Sequence, residues 1–148
     1  DPAGRTRITM PERFGDGGIR TSNFVGRPAR NELICGEIQG EELVQYDYTP
    51  EQYRALAHLT AALCKVFPKI KCDFPRDADG QLIPRKLADD ELEKYRGVLG
   101  HYHIQTNKTD PGPALNWEAL IAHARQLMGE PAPAVFRMPG LGHARQRL

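Results

Sequence analysis

Between Gly100 and Pro113 the chain gathers His101, His103, Lys108 and Asp110 into one short stretch, with Tyr102, Gln105 and Asn107 between them. An imidazole nitrogen and a carboxylate oxygen both suit zinc, and a catalytic zinc needs three protein donors and one open position. His101 and Asp110 are the candidate pair. Two donors separated by a loop converge on one ion when a rigid turn fixes the second, and Asp110-Pro111-Gly112-Pro113 supplies such a turn. Residue types alone leave a second reading beside this one, a surface loop with a satisfied histidine. On an extended segment His103 points to the same side as His101. There it reaches the metal edge or a ligand, or else it packs behind the first histidine or lies on the surface.

Two apolar elements must hold this stretch. Val98-Leu99 reads as a short buried strand that delivers His101 at its end. Asn116 caps a final helix whose inner face is Trp117, Leu120, Ile121, Ala124, Leu127 and Met128, stopped by Gly129 and Pro131. Upstream, Thr49-Pro50-Glu51-Gln52 predicts a helix start with a capping box and proline in the first turn. Tyr53, Leu56, Leu59, Leu63, Val66 and Phe67 recur at helical spacing as one buried face, and Pro68 stops the helix. Leu33–Ile38 is apolar on both faces, as a central strand is, apart from one carboxylate, Glu37. Burying that charge unpaired is costly, so Glu37 calls for a reason. Gly40 ends the strand. Residues 73–96 read as irregular, with an Asp79-Gly80 turn, a short edge strand at Leu82-Ile83 and one or two helical turns over Asp89–Tyr95.

Composition narrows the classes. A net charge of +1 with 26% charged residues points to neither nucleic acid nor an anionic membrane as partner. No apolar run approaches the ~20 residues of a membrane span. Three cysteines, Cys35, Cys64 and Cys72, exclude a fully paired intrachain framework, and Cys64 falls on the apolar side of a helix. Residues 1–32 are rich in Arg, Gly and Pro, with turn formers at Gly15–Gly18 and Gly26–Pro28. They read as an irregular insertion or arm with one short strand near Arg7–Met10. Residues 131–148 read as an extended tail. The chain begins at Asp1 without a methionine, which fits a processed or truncated chain.

Gly100-His101, a spacer and Lys108-Thr109-Asp110-Pro111-Gly112-Pro113 together resemble the C-terminal signature of the zinc-dependent N-acetylmuramoyl-L-alanine amidases. The spacer is one residue shorter than in many members. Gly36-Glu37-Ile38-Gln39-Gly40 is similar to the run around the glutamate on their central strand, and Tyr48-Thr49-Pro50-Glu51-Gln52 is similar to the helix start that follows it. The resemblance runs from about Ile34 to Leu120. It implies Zn2+ as cofactor, held by His101 and Asp110. It implies Glu37 as general base and Lys108 as the ammonium that stabilises the oxyanion. The substrate would be peptidoglycan or a muropeptide, which His103, Gln105 and Asn107 could hydrogen-bond, and the setting the bacterial cell envelope, periplasm or exterior. A non-catalytic muropeptide-binding module of the same fold is the alternative.

The family's remaining zinc ligand, a histidine on an early strand, has no match here. The expected fold class is therefore α/β, a mixed central sheet flanked by helices. Part of that sheet would be supplied by a missing upstream segment or a partner chain. Residues 33–130 form the C-terminal part of the domain, thin in core for its length and inactive as an enzyme by itself.

Overall fold

The computed structural model describes residues 1–9 and 25–130. Its longest element follows from the Thr49 cap. Helix α1 spans Pro50–Val66. The Gln52 N–H donates to Thr49 Oγ1 at 3.2 Å, and the Thr49 N–H donates to Gln52 Oε1 at 2.8 Å, so two orphan donors of the first turn are satisfied reciprocally. Helix α2 spans Asp89–Lys94, where one or two turns were expected. Helix α3 spans Trp117–Met128. Asn116 caps it by accepting the Ala119 N–H at 3.0 Å, and Gly129 ends it in the left-handed region at φ 89°.

The strands differ from expectation. β1 covers Ile34–Ile38 and β2 covers Glu41–Gln45, and they pair antiparallel with Ile38 opposite Glu41. Gln39 and Gly40 form the two-residue turn with φ of 58° and 81°, both in the left-handed region that a type I′ hairpin requires. Among the described residues the sheet has only these two antiparallel strands, accompanied by three helices, and the further strands of a mixed sheet are not among them. β1 is not buried on both faces. Cys35 and Glu37 are exposed, and Ile34, Gly36 and Ile38 turn inward. The charge of Glu37 therefore carries no burial cost. Val98-Leu99 belongs to no strand, its Val98 N–H donating to the Asp73 carbonyl at 2.8 Å. Leu82 forms only an isolated bridge with Arg76, and Ile8 one with Gly26. The expected Gly15–Gly18 turn and the tail over 131–148 lie outside the described residues.

The face that α1 buries is also corrected. Ala57, Thr60, Ala61 and Cys64 are buried, while Leu56, Leu59, Leu63, Val66 and Phe67 stay 37% to 68% exposed. Helical spacing marked the bulky stripe, but the small residues make the contact because they let a neighbouring helix come close. That neighbour is α3, which contributes Leu120, Ile121 and Ala124. The two helices run in the same direction. The Asn116 N–H donates to the Tyr53 hydroxyl near their starts, at 2.9 Å, and Lys65 Nζ donates to the Leu127 carbonyl near their ends, at 3.1 Å. Ile38, Phe74, Tyr102, Leu115 and Trp117 complete the core. No described helix is long and apolar enough to cross a membrane.

Thr49→Ala is expected to destabilise the chain by about 1 kcal/mol, read as a lower denaturant midpoint. Thr49→Ser should retain most of the lost stability. An unchanged midpoint for the alanine variant would show that the cap contributes nothing.

Candidate metal and catalytic site

His101 opens a short 3-10 turn, His101–His103, rather than an extended segment. That geometry separates the two histidines. His103 is fully buried against Tyr102 and Trp117. Its Nδ1 accepts the Gly100 N–H at 2.8 Å and its Nε2 donates to the Ile83 carbonyl at 2.8 Å. Burial draws its pKa down to about 4, so the ring is neutral at pH 7. Both nitrogens are taken, and His103 offers neither a metal nor a substrate a free atom. It fastens the turn to the 73–96 excursion instead. Tyr102 is likewise a core residue, its hydroxyl accepting from Trp117 Nε1 at 3.1 Å.

His101 faces outward. Its Nε2 lies 2.9 Å from Gln105 Oε1, and its Nδ1 lies 3.3 Å from Asp110 Oδ2. The two side chains are 40% and 68% exposed, so an ion could reach them from solvent. Two donors each ~2.0–2.1 Å from a tetrahedral zinc lie about 3.3–3.4 Å apart. The spacing thus fits two corners of one such site. Among the described residues no group of three or more His, Cys, Asp or Glu side chains lies close enough to hold an ion, so the third corner is not among them.

The other candidates are less tightly tied. Glu37 sits directly across the hairpin from Glu42, on the strand face opposite Gly36 and Ile38. Among the described residues it makes no ion pair, and neither does Lys108, which is half-buried. The structure hydrogen-bonds neither of them to His101 or Asp110. Asn107 is exposed on the same loop, and the side chain of Gln105 is directed to His101.

The residues that hold the loop were not evident in the sequence. The Tyr48 hydroxyl donates to the Pro111 carbonyl at 2.7 Å, and Gln45 Nε2 donates to it at 3.2 Å. Gln45 Oε1 accepts the Ala114 N–H at 3.1 Å. Gln39 Nε2 donates to the Tyr102 and Gln105 carbonyls, both at 2.9 Å. A β-carbon at Gly36 would stand 2.8 Å from Pro113 Cβ, and one at Gly100 would stand 2.7 Å from Pro111 Cδ, so glycine at both lets the turn seat. Arg30 donates to the Ala114 carbonyl and, through Nε at 2.7 Å, to Asp47 Oδ2. Tyr53 donates to Asp47 Oδ1 at 2.7 Å. Burial acts to raise the pKa of Asp47, but the Arg30 guanidinium and the Tyr53 hydroxyl together hold it below the usual carboxylate range. Only the Gln39-Gly40 pair carried a local signal, that of a turn. Gln45, Tyr48 and Arg30 are ordinary polar residues whose partners on the loop lie more than sixty positions away.

Asp47→Ala should cost roughly 2–4 kcal/mol, because it strips a partly buried guanidinium of its partner. Since folding lowers the pKa of Asp47, its contribution is fully present above the unfolded value of about 3.9 and is lost as pH falls through the folded value. Acid unfolding followed by circular dichroism should show a shallower pH dependence in Asp47→Asn. An identical acid limb would remove Asp47 from this role.

Residues 23–113 match the family model for N-acetylmuramoyl-L-alanine amidase. The chain is 28% identical over 123 residues to the 1,6-anhydro-N-acetylmuramyl-L-alanine amidase AmpD of Haemophilus influenzae, covering 80% of this chain and 53% of that protein. It is 32% identical over 106 residues to the amidase of the same name from Salmonella typhimurium strain SL1344, covering 68% of this chain and 43% of the relative. The chain thus spans about half the length of the curated relatives it matches. No solved structure matches it.

Proposed function

We propose a hydrolytic function on the premise that this chain belongs to the N-acetylmuramoyl-L-alanine amidase family, which it matches over more than half of its length. The reaction is hydrolysis of the amide between N-acetylmuramic acid and L-alanine in peptidoglycan or a muropeptide. The observation that carries this reading is the 3.3 Å approach of His101 Nδ1 to Asp110 Oδ2 on the loop with the family-like signature.

His101 and Asp110 would hold a zinc ion together with a third donor from outside the described residues. The family resemblance points to a histidine, carried by an upstream part of the domain or a partner chain. When bound, zinc supplies Lewis acidity, drawing the pKa of a water towards 7 and polarising a carbonyl. Glu37 would serve as general base, accepting a proton from the attacking water and returning it to the leaving amine. Its exposed carboxylate and its place beside Gly36, which packs on Pro113, support the assignment. Lys108, two residues before Asp110, presents an ammonium to the oxygen that becomes negative as the amide carbonyl is attacked. The exposed Gln105–Asn107 rim offers polar contacts to the substrate.

In the complete enzyme, His101→Ala and Asp110→Ala should each lose most bound zinc and nearly all amidase activity. Metal analysis and release of L-alanine-terminated peptide measure the two losses. Full zinc occupancy in either variant would show the ligands to be wrong. Lys108→Ala and Glu37→Gln should keep zinc. For Lys108→Ala, kcat should fall by roughly 10²–10³-fold, the scale for deleting one oxyanion donor. An unchanged kcat would return either residue to the surface. Muropeptide binding without zinc or turnover would mark the non-catalytic module instead.

A further inference from the structure

The two ring nitrogens of His101 meet different side chains, Nε2 the carboxamide of Gln105 and Nδ1 the carboxylate of Asp110. Oε1 of a carboxamide only accepts, so the contact at 2.9 Å places a proton on His101 Nε2. In the neutral ring Nδ1 is then the lone-pair nitrogen, and it points at Asp110 Oδ2, another acceptor, across 3.3 Å. Two acceptors facing each other at this distance are satisfied by a shared proton or by a metal ion bound to both. We propose that Gln105 is a positioning residue which fixes the His101 tautomer, so that Nδ1 and the Asp110 carboxylate address one metal ion. The inference rests on the zinc reading of the same loop and deepens it.

Three features support the assignment. Gln105 lies four residues beyond His101, just past the 3-10 turn, so its side chain reaches back over the imidazole. Its backbone is fixed at both ends, with the N–H donating to the His101 carbonyl at 3.1 Å and the carbonyl accepting from Gln39 Nε2 at 2.9 Å. The neighbouring His103 is already satisfied by backbone groups, so Gln105 serves one ring alone. Metal-bound imidazoles commonly donate their second N–H to an oxygen acceptor, which sets ring orientation and raises ligand basicity.

The test has two readouts. In the zinc-free complete enzyme, nitrogen-15 spectra of the histidines should show His101 protonated at Nε2, and Gln105→Leu should lose that preference. In a zinc competition titration Gln105→Leu should bind roughly 10–100-fold more weakly than wild type. Gln105→Glu, which keeps an oxygen acceptor, should bind at least as tightly as wild type. A wild-type His101 protonated at Nδ1, or a Gln105→Leu chain with undiminished affinity beside a His101→Ala chain that has lost it, overturns the role of Gln105. Wild-type affinity that does not change in His101→Ala overturns the metal reading itself, and the tautomer spectra then decide the role of Gln105 on their own.

Discussion

Two carbonyl groups join the halves of this structure. Pro111 and Ala114 turn their oxygens toward the hairpin and the start of α1, where Gln45, Tyr48 and Arg30 donate to them. These are backbone acceptors in an irregular segment, with no helix or ladder to satisfy them. Left buried without partners, each would cost about 1–3 kcal/mol. By meeting that need with side chains from residues 30–48, the fold ties the site loop to the hairpin. The position of Asp110 is a by-product of that requirement.

The same logic governs charge and polarity around the loop. Asp47 is buried yet ionised because a guanidinium, a phenol and the Tyr48 N–H converge on it. His103 is buried yet uncharged because its two nitrogens meet one donor and one acceptor of the backbone. No described buried side-chain nitrogen or oxygen lacks a partner. What remains unsatisfied stands at the surface, where His101 Nδ1 and Asp110 face solvent.

Much of the local order was legible in the sequence. The capping box at Thr49, the proline after it, the Asn116 cap and the glycine at 129 each act on neighbours a few residues away, and helices stand where they indicated. Pairing at a distance was not legible. β2 is as polar as a loop, and only its register with β1 makes it a strand. The burial of α1 was misjudged because hydrophobic spacing records which side chains are apolar, whereas close helix packing selects the smallest ones. Within the loop, the sequence singled out His101 as a ligand and left the place of His103 open. A 3-10 turn in place of an extended segment sent one outward and the other into the core.

Gly36 has a mechanical consequence. Its missing β-carbon leaves Pro113 resting directly on the strand backbone. Contact by excluded volume resists compression and offers nothing against extension, while the donors of Gln39 and Gln45 resist extension and yield little to compression. The hairpin therefore grips the loop in both senses, as a jaw does. Strain applied to β1 and β2 is passed to the loop that carries both the imidazole and the carboxylate.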